Sequence, residues 1–184
     1  MKILFLSPHK HLIEFLRSNG DEVVNSFDPV TEEMLAGIDF IISYGYRRKI
    51  EKEILDRYKG RAINLHIAYL PYNRGADPNL WSFLEDTPKG VTIHYLDGHI
   101  DTGDIITREE VDYDLENDTL RTSYKRLAET IEALFCRLWP DIRSEVLDSI
   151  PQLTYHRVAD KEKYQHLLTD GWDTPIKDIF RKAK

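Results

Sequence analysis

The chain has 184 residues, of which 41% are hydrophobic and 31% charged, a composition typical of one globular domain. Its formal net charge is −7, and no long stripe of Lys and Arg offers the basic face that nucleic acids need, so no nucleic-acid partner is expected. The apolar runs fall short of the ~18 residues that a membrane helix requires, so no membrane partner is expected.

The amino-terminal sequence MKILFLSPH is typical of a buried strand followed by a proline rather than of a signal peptide. The single cysteine, Cys136, excludes an internal disulfide and lies in an apolar helical pattern, which predicts a buried thiol. We therefore expect a cytoplasmic protein.

Apolar runs and helical spacings alternate along the chain. Strands are predicted over residues 2–6, 22–25, 39–43, 62–66, 91–95 and 105–113, and helices over 12–20, 50–58 and 119–139. Thr119 is placed to cap the long helix and Pro140 to end it, with a further short helix over 142–147. The order predicts an open, Rossmann-like and mostly parallel twisted sheet with helices on both faces.

Polar side chains lie at the end of the fourth predicted strand. Alternation sends Asn64 and His66 to one face of it, and a turn rich in Gly and Asp after the next strand carries Asp101. Open α/β sheets bind ligands beyond the carboxyl ends of their strands. An amide, an imidazole and a carboxylate meeting there suit oxyanion stabilisation and proton transfer, although strand-end polar residues are more often only satisfied structural groups.

A metal hydrolase is a rival interpretation of the same stretch. Ligand types for a metal are present, but no H-x-x-x-H or H-x-H pair fixes two imidazoles on one face. His94 is predicted to be a structural, hydrogen-bonded histidine and His99 an exposed loop residue. The candidate ligands of this rival site are His66, His94, His99, Asp97, Asp101 and Asp104.

Several motifs of this stretch occur together in one known family. N-L-H, L-P-x-x-R-G-A-D-P, G-V-T-I-H-Y-L-D and D-T-G-D-I-I resemble, in order and spacing, the signature of folate-dependent formyltransferases. The likeness runs from about residue 41 to about residue 109 and fades after the helix near Trp139. It implies a formyltransferase fold, a catalytic domain over residues 1–140 and a carboxyl-terminal extension over 141–184 packed on it.

The resemblance also implies roles for residues. Asn64, His66 and Asp101 match the family's catalytic Asn, His and Asp, and the co-substrate is 10-formyltetrahydrofolate, with no metal. A protonated His66 and the amide of Asn64 are expected at the developing oxyanion. The expected folate-binding residues are Tyr44, Gly45, Tyr46, Asp97, Gly98 and Gly103, and the expected acceptor-binding residues are Arg74, Asp77 and Tyr72.

The resemblance implies that the acceptor is a primary amine, and elimination narrows the class of molecule that carries this amine. Ser7-Pro8-His9-Lys10 after the first strand has no glycine, unlike the phosphate loop of glycinamide ribonucleotide enzymes, and an acidic chain is unsuited to tRNA. A nucleotide-linked amino sugar remains, and aromatic and basic tail residues offer stacking for its base or a subunit contact: Tyr155, His156, Arg157 and Trp172.

Other functions stay open at this stage. Transfer to another small amine and hydrolysis of formyltetrahydrofolate use the same site. A metal-dependent hydrolase and a non-catalytic folate- or nucleotide-binding module belong to other classes. A homodimer is also left open.

Overall fold

The computed structural model describes residues 1–145, 147–150 and 158–182. Six strands form one sheet in the order β2-β1-β3-β4-β5-β6. The pairings among β1, β2, β3 and β4 are parallel, whereas β5 and β6 run antiparallel to their neighbours. The strands are Lys2–Leu6 (β1), Glu22–Ser26 (β2), Phe40–Tyr44 (β3), Ala62–His66 (β4), Gly90–Tyr95 (β5) and Ile105–Glu110 (β6).

The predicted open α/β sheet is confirmed. Strand β1 lies between β2 and β3, so the chain leaves β1 towards one side and later returns on the other. The carboxyl ends of β1 and β3 therefore flank a topological switch point, where such sheets form a crevice. Strand β4 lies next to β3, which places Asn64 and His66 at the same edge.

Helices cover both faces of the sheet. They are His11–Ser18 (α1), Lys52–Arg57 (α2), Pro78–Leu84 (α3), Leu120–Arg143 (α4) and Ile176–Lys182 (α5), with short 3-10 helices at Glu32–Leu35, Val158–Leu167 and Gly171–Asp173. Among the helices of the described residues, none is long and apolar enough to cross a membrane.

Alternation along the strands divides the core into two layers. One layer packs α1 and α4 on the sheet and includes Ile3, Phe5, Ile42, Ile63, Leu65, Phe135 and Trp139. The other packs α2 on the opposite face and includes Leu4, Leu6, Ile41, Ile54, Leu55 and Ala62. Because Ile63 and Leu65 point into the first layer, Asn64 and His66 point to the opposite face.

Helix α4 begins as predicted and ends later than predicted. Thr119 caps it through a capping box with Thr122. Pro140 lies inside the helix, so the prediction that it ends there is wrong, as is that of a separate helix over 142–147. The last turn persists because Ile142 is buried in the core and Arg143 donates to the carbonyl oxygen of Asn19 at 3.0 Å.

The sequence did not predict α3 or α5, which pack together. Leu80, Trp81 and Phe83 of α3 form a third apolar cluster with Leu167, Ile176 and Ile179 of the tail. Asp173 of the tail also forms an ion pair with Arg121 of α4. The division of the chain at residue 140 stays a prediction, since α4 crosses that position.

The turn between β5 and β6 depends on a glycine that tolerates no side chain. A Cβ added at Gly103 would overlap the carbonyl oxygen of Tyr95, which is rigid backbone, whereas a Cβ at Gly98 would meet only the flexible chain of Lys52 at 2.9–3.3 Å.

We expect Gly103→Ala to lower the free energy of unfolding by about 1–3 kcal/mol in urea titration, as overpacking does. The matched Gly98→Ala should cost clearly less; equal losses would contradict this account.

Candidate active site

Neighbouring strands bring three polar side chains to one face of the sheet. Asn64 and His66 lie on β4, and the antiparallel register places Asn64 opposite His94 of β5. His66 is 8% exposed and His94 is fully buried. The amide nitrogen of Asn64 lies 3.3 Å from Nε2 of His94, and the two imidazoles meet edge to face with ring centroids 5.9 Å apart.

Asp101 lies between the two imidazoles. Its Oδ2 is 3.8 Å from Nε2 of His66, and its Oδ1 is 3.6 Å from Nε2 of His94. The backbone N–H of Gly75 donates to Oδ2 at 3.0 Å. Asp101 has a φ of 51°, a left-handed conformation that aspartate tolerates better than most residues. The turn thus directs the carboxylate inward to Asn64, His66 and His94.

His94 links the amide to the carboxylate. Its Nδ1 lies 2.7 Å from the carbonyl oxygen of Tyr95, so this nitrogen carries a proton and donates. In the neutral ring Nε2 then accepts from the amide of Asn64, which fixes the direction of that amide. His94 is hydrogen-bonded, as predicted, and its contacts with Asn64 and Asp101 make it part of the site.

Burial and charge set the protonation of the site in opposite directions. Burial lowers the pKa of His66 below its ordinary 6.5, and the attraction of Asp101 does not offset this. Burial alone would raise the pKa of Asp101, but the imidazoles of His66 and His94 and the Gly75 N–H hold it well below its ordinary value. At neutral pH the site therefore holds a carboxylate beside a neutral His66.

His66 is therefore neutral in the free site and has to gain its proton during a reaction if it is to meet an oxyanion as an imidazolium. Removing the imidazolium from water costs more than the carboxylate at 3.8 Å returns. Within the described part of the chain, Nε2 of His66 has no hydrogen-bond partner although it is buried. It is available to a ligand that enters the site.

Arg74 is buried next to these groups. Its side chain is 4% exposed, and its Nε and Nη2 have no hydrogen-bond partner among the described residues. Burial lowers the pKa of Arg74, against the attraction of Asp101 and Asp97. Asp77 and Tyr72, which were predicted to bind the acceptor with it, are not buried. Asp77 pairs with Lys161 of the tail, and Tyr72 is 41% exposed.

The residues expected to bind folate form two loops. Tyr44 turns its ring into the α4 side of the core and donates to Glu132, and Tyr46 donates to the carbonyl oxygen of Asp28. Gly45 has a φ of 68° between them. The two tyrosine hydroxyls are thus engaged within the protein, which leaves the loop backbone for a ligand.

The second loop is held by its own carboxylate. Oδ1 of Asp97 accepts hydrogen bonds from the backbone N–H of His99 and the hydroxyl of Thr102. Gly98 and Gly103 belong to the same turn. His99 and Asp104 are exposed, so the candidate ligands of the rival metal site do not all converge. The turn is organised to present Asp101.

Three features of the site were not predicted from the sequence. The contact of His94 with Asn64 and Asp101 depends on an antiparallel register, and the Gly75 contact and the burial of Arg74 depend on how the loop before α3 folds. The only sequence signal was the placement of His94 within the T-I-H-Y strand.

The chain is similar to known formyltransferases. A family model described as Formyl transferase matches residues 18–138. The crystal structure of the formyltransferase PseJ from Anoxybacillus kamchatkensis, in complex with UDP-4,6-dideoxy-4-formamido-L-AltNAc and tetrahydrofolate, is 57% identical. The similarity covers 100% of both chains with a TM-score of 0.95.

More distant relatives extend the comparison. A methionyl-tRNA formyltransferase of Prochlorococcus marinus subsp. pastoris is 30% identical over 164 residues, which are 85% of this chain and 49% of that protein. The chain spans about half the length of the curated relatives it matches. An N-formyltransferase from Helicobacter canadensis shares the fold, with 19% identity, a TM-score of 0.69 and coverage of 86% and 71% of the two chains.

The electrostatic account predicts how His66 titrates. In NMR the His66 ring should titrate below 6.5, because burial disfavours the imidazolium. Asp101→Asn should lower this pKa further, because the charge that favours the imidazolium is lost. Asp104→Asn, which removes an exposed carboxylate of the same turn, serves as the control and should leave it unchanged. A pKa above 6.5, or a rise in Asp101→Asn, would contradict the assignment.

Proposed function

Because the chain belongs to the formyl transferase family, we propose that it transfers a formyl group from 10-formyltetrahydrofolate to a primary amine on a nucleotide-linked amino sugar. The observation that carries the proposal is the 57% identity, over the full length of both chains, to PseJ with its bound tetrahydrofolate and formamido sugar nucleotide. The group formed by the buried His66 and His94 with the half-buried Asn64 and Asp101 offers a site for this chemistry.

Two other acceptors of the family fit this chain less well. The segment after β1 has no glycine-rich phosphate loop, which argues against glycinamide ribonucleotide. A net charge of −7 argues against tRNA, whose phosphates require a basic face. Hydrolysis of formyltetrahydrofolate remains the alternative that uses the same residues. A cytoplasmic location and the oligomeric state stay predictions.

The proposed reaction begins with attack of the neutral amine on the formyl carbon. The resulting tetrahedral intermediate carries a negative oxygen and a positive nitrogen. Asn64, whose amide direction is fixed by Nε2 of His94, donates a hydrogen bond to this oxygen. The donor is already oriented before reaction, so its stabilisation costs no reorganisation when the charge develops.

In this mechanism His66 becomes charged only during the reaction. It enters as a neutral imidazole whose buried Nε2 has no hydrogen-bond partner among the described residues, and the ammonium proton passes to it directly or through water. The imidazolium then lies between the carboxylate of Asp101 and the new oxyanion. Both charges are complementary to the imidazolium, so the site favours the transition state over the ground state. Collapse of the intermediate breaks the bond between the formyl carbon and the folate nitrogen, which takes the proton from the imidazolium and leaves as tetrahydrofolate.

Arg74 is proposed to bind an anionic part of the acceptor. A buried guanidinium with two nitrogens lacking hydrogen bonds within the described chain is costly without an anion or water beside it. A phosphate of a nucleotide sugar would supply several acceptors in a geometry that suits arginine. Tyr72 at the exposed rim and Asp77, which the tail holds through Lys161, complete the proposed acceptor side.

The tail is proposed to contribute to the nucleotide end of the acceptor or to a subunit contact. Trp172 is 42% exposed, and the ammonium of Lys161 lies 5.8 Å from its ring centroid. An aromatic face beside a cation suits stacking on a base. The other residues expected here, Tyr155, His156 and Arg157, lie outside the described residues.

The first test is an acceptor screen with 10-formyltetrahydrofolate. Release of tetrahydrofolate and a formamido product should be detected with the UDP-linked 4-amino sugar corresponding to the ligand of PseJ. Turnover of folate without any formylated amine would identify a hydrolase instead. No turnover with any amine or water, despite saturable folate binding, would identify a binding module.

Substitutions at the site should separate catalysis from binding. Asn64→Ala is expected to lower kcat about 100- to 1000-fold with little change in KM, because the donor acts mainly on the developing oxyanion. His66→Ala and Asp101→Asn should also act mainly on kcat. His99→Ala and Asp104→Asn are controls at exposed positions of the same region and should retain near-wild-type rates. Comparable losses in the controls would contradict the proposed roles.

The pH dependence tests the protonation state of His66. If the neutral imidazole is the active form, kcat should fall on acidification with a midpoint below 6.5, because burial lowers the pKa of His66. The acceptor amine must also be neutral to react, so its deprotonation raises the rate as pH rises. Neither His66 nor the amine therefore predicts a decline of kcat above neutral pH. A fall in kcat as pH rises from 6.5 would show that the free imidazolium is required.

A further inference from the structure

A second cluster of titratable side chains lies on the opposite face of the sheet from Asn64 and His66. His9 follows β1, His11 begins α1 and Glu132 lies on α4. Nε2 of His11 donates to Oε2 of Glu132 at 2.9 Å, and Nδ1 of His9 lies 4.0 Å from Oε1. One ligand atom from each residue lies within 4.8 Å of the other two.

The spacing suits a small metal ion after minor movement of the side chains. Zinc binds imidazole nitrogen and carboxylate oxygen at about 2.0–2.2 Å, so tetrahedral ligands stand about 3.3 Å apart. The side chain of His11 is 57% exposed and is free to adjust. The 4.0 Å separation of Nδ1 of His9 from Oε1 of Glu132 is too long for a hydrogen bond but lies within the 4.8 Å that spans the three ligand atoms.

Tyr44 holds two of the three side chains in place. Its hydroxyl donates to Oε1 of Glu132 at 3.0 Å, and its ring stacks on His9 with centroids 4.3 Å apart. Tyr44 itself is 3% exposed at the end of β3. Supporting contacts of this kind orient the ligands of metal sites and raise their affinity.

We propose that His9, His11 and Glu132 bind one divalent transition-metal ion of the zinc type, with the fourth position left to water or a ligand oxygen. Two imidazoles and one carboxylate favour zinc, cobalt or nickel over magnesium and calcium, which prefer oxygen ligands. The ion would lie at the carboxyl edge of β1 and β3, the switch point of the sheet. The proposal does not rest on the proposed formyl transfer, although Tyr44 also belongs to the loop that is expected to bind folate.

The direct test is metal binding by the full chain. After removal of metal with a chelator, calorimetry should give one zinc per chain with a Kd below about 1 μM, and cobalt should give the visible absorption of a tetrahedral site. Zinc should also raise the midpoint of thermal unfolding, because it binds the native state. Absence of saturable binding by both metals, or zinc binding only in the millimolar range, would overturn the proposal.

Variants assign the ion to these residues. His11→Ala and Glu132→Gln should each weaken zinc binding at least tenfold, and Tyr44→Phe should weaken it about 10- to 100-fold through the loss of ligand orientation. His99→Ala is the control for the removal of an exposed histidine and should bind as the wild type does. Equal affinity in His11→Ala and wild type would overturn the assignment and leave only the hydrogen bond between His11 and Glu132.

Discussion

The proposed active site depends on one largely buried carboxylate, whose side chain is 12% exposed. Asp101 adopts a left-handed backbone conformation that places its side chain between two imidazoles, and the backbone N–H of Gly75 donates a hydrogen bond to it. Burial would raise the pKa of this carboxyl, but the imidazoles of His66 and His94 and the Gly75 N–H hold it well below its ordinary value. The turn, the glycine that permits its close approach to Tyr95 and the loop before α3 all serve to place this charge.

The reversal of strand direction after β4 makes this placement possible. Parallel neighbours in a sheet need a long crossover connection, whereas antiparallel neighbours such as β5 and β6 can be joined by a turn. Here β5 runs antiparallel, so His94 faces Asn64, and the β5–β6 connection returns Asp101 to the carboxyl end of β4. In the resulting group His94 lies near both Asn64 and Asp101, and Asp101 also lies near His66.

The two faces of the sheet carry different chemistry. The face that packs α2 carries Asn64, His66 and His94, which are suited to proton transfer and oxyanion stabilisation. The face that packs α4 carries His9, His11 and Glu132 around Tyr44, which are suited to an ion. Strand alternation keeps the groups apart although both lie near one edge of the sheet.

Local patterns in the sequence determined the strands, the long capped helix and the composition of the site. Residues 2–6 and 62–66 were predicted with their observed bounds, and Thr119 caps α4 as expected. These features depend on contacts between near neighbours along the chain, which a sequence displays directly. The family motifs added Asn64, His66 and Asp101, which the fold brings together.

Tertiary structure alone decided the rest. Pro140 stays within α4 because Ile142 and Arg143 gain contacts with distant residues, and His66 is neutral because the assembled core removes it from water. His11 and Glu132 meet across 121 positions of sequence. Burial and long-range contact arise only when separate segments pack together, and so the protonation states and the second cluster could not be read from local pattern.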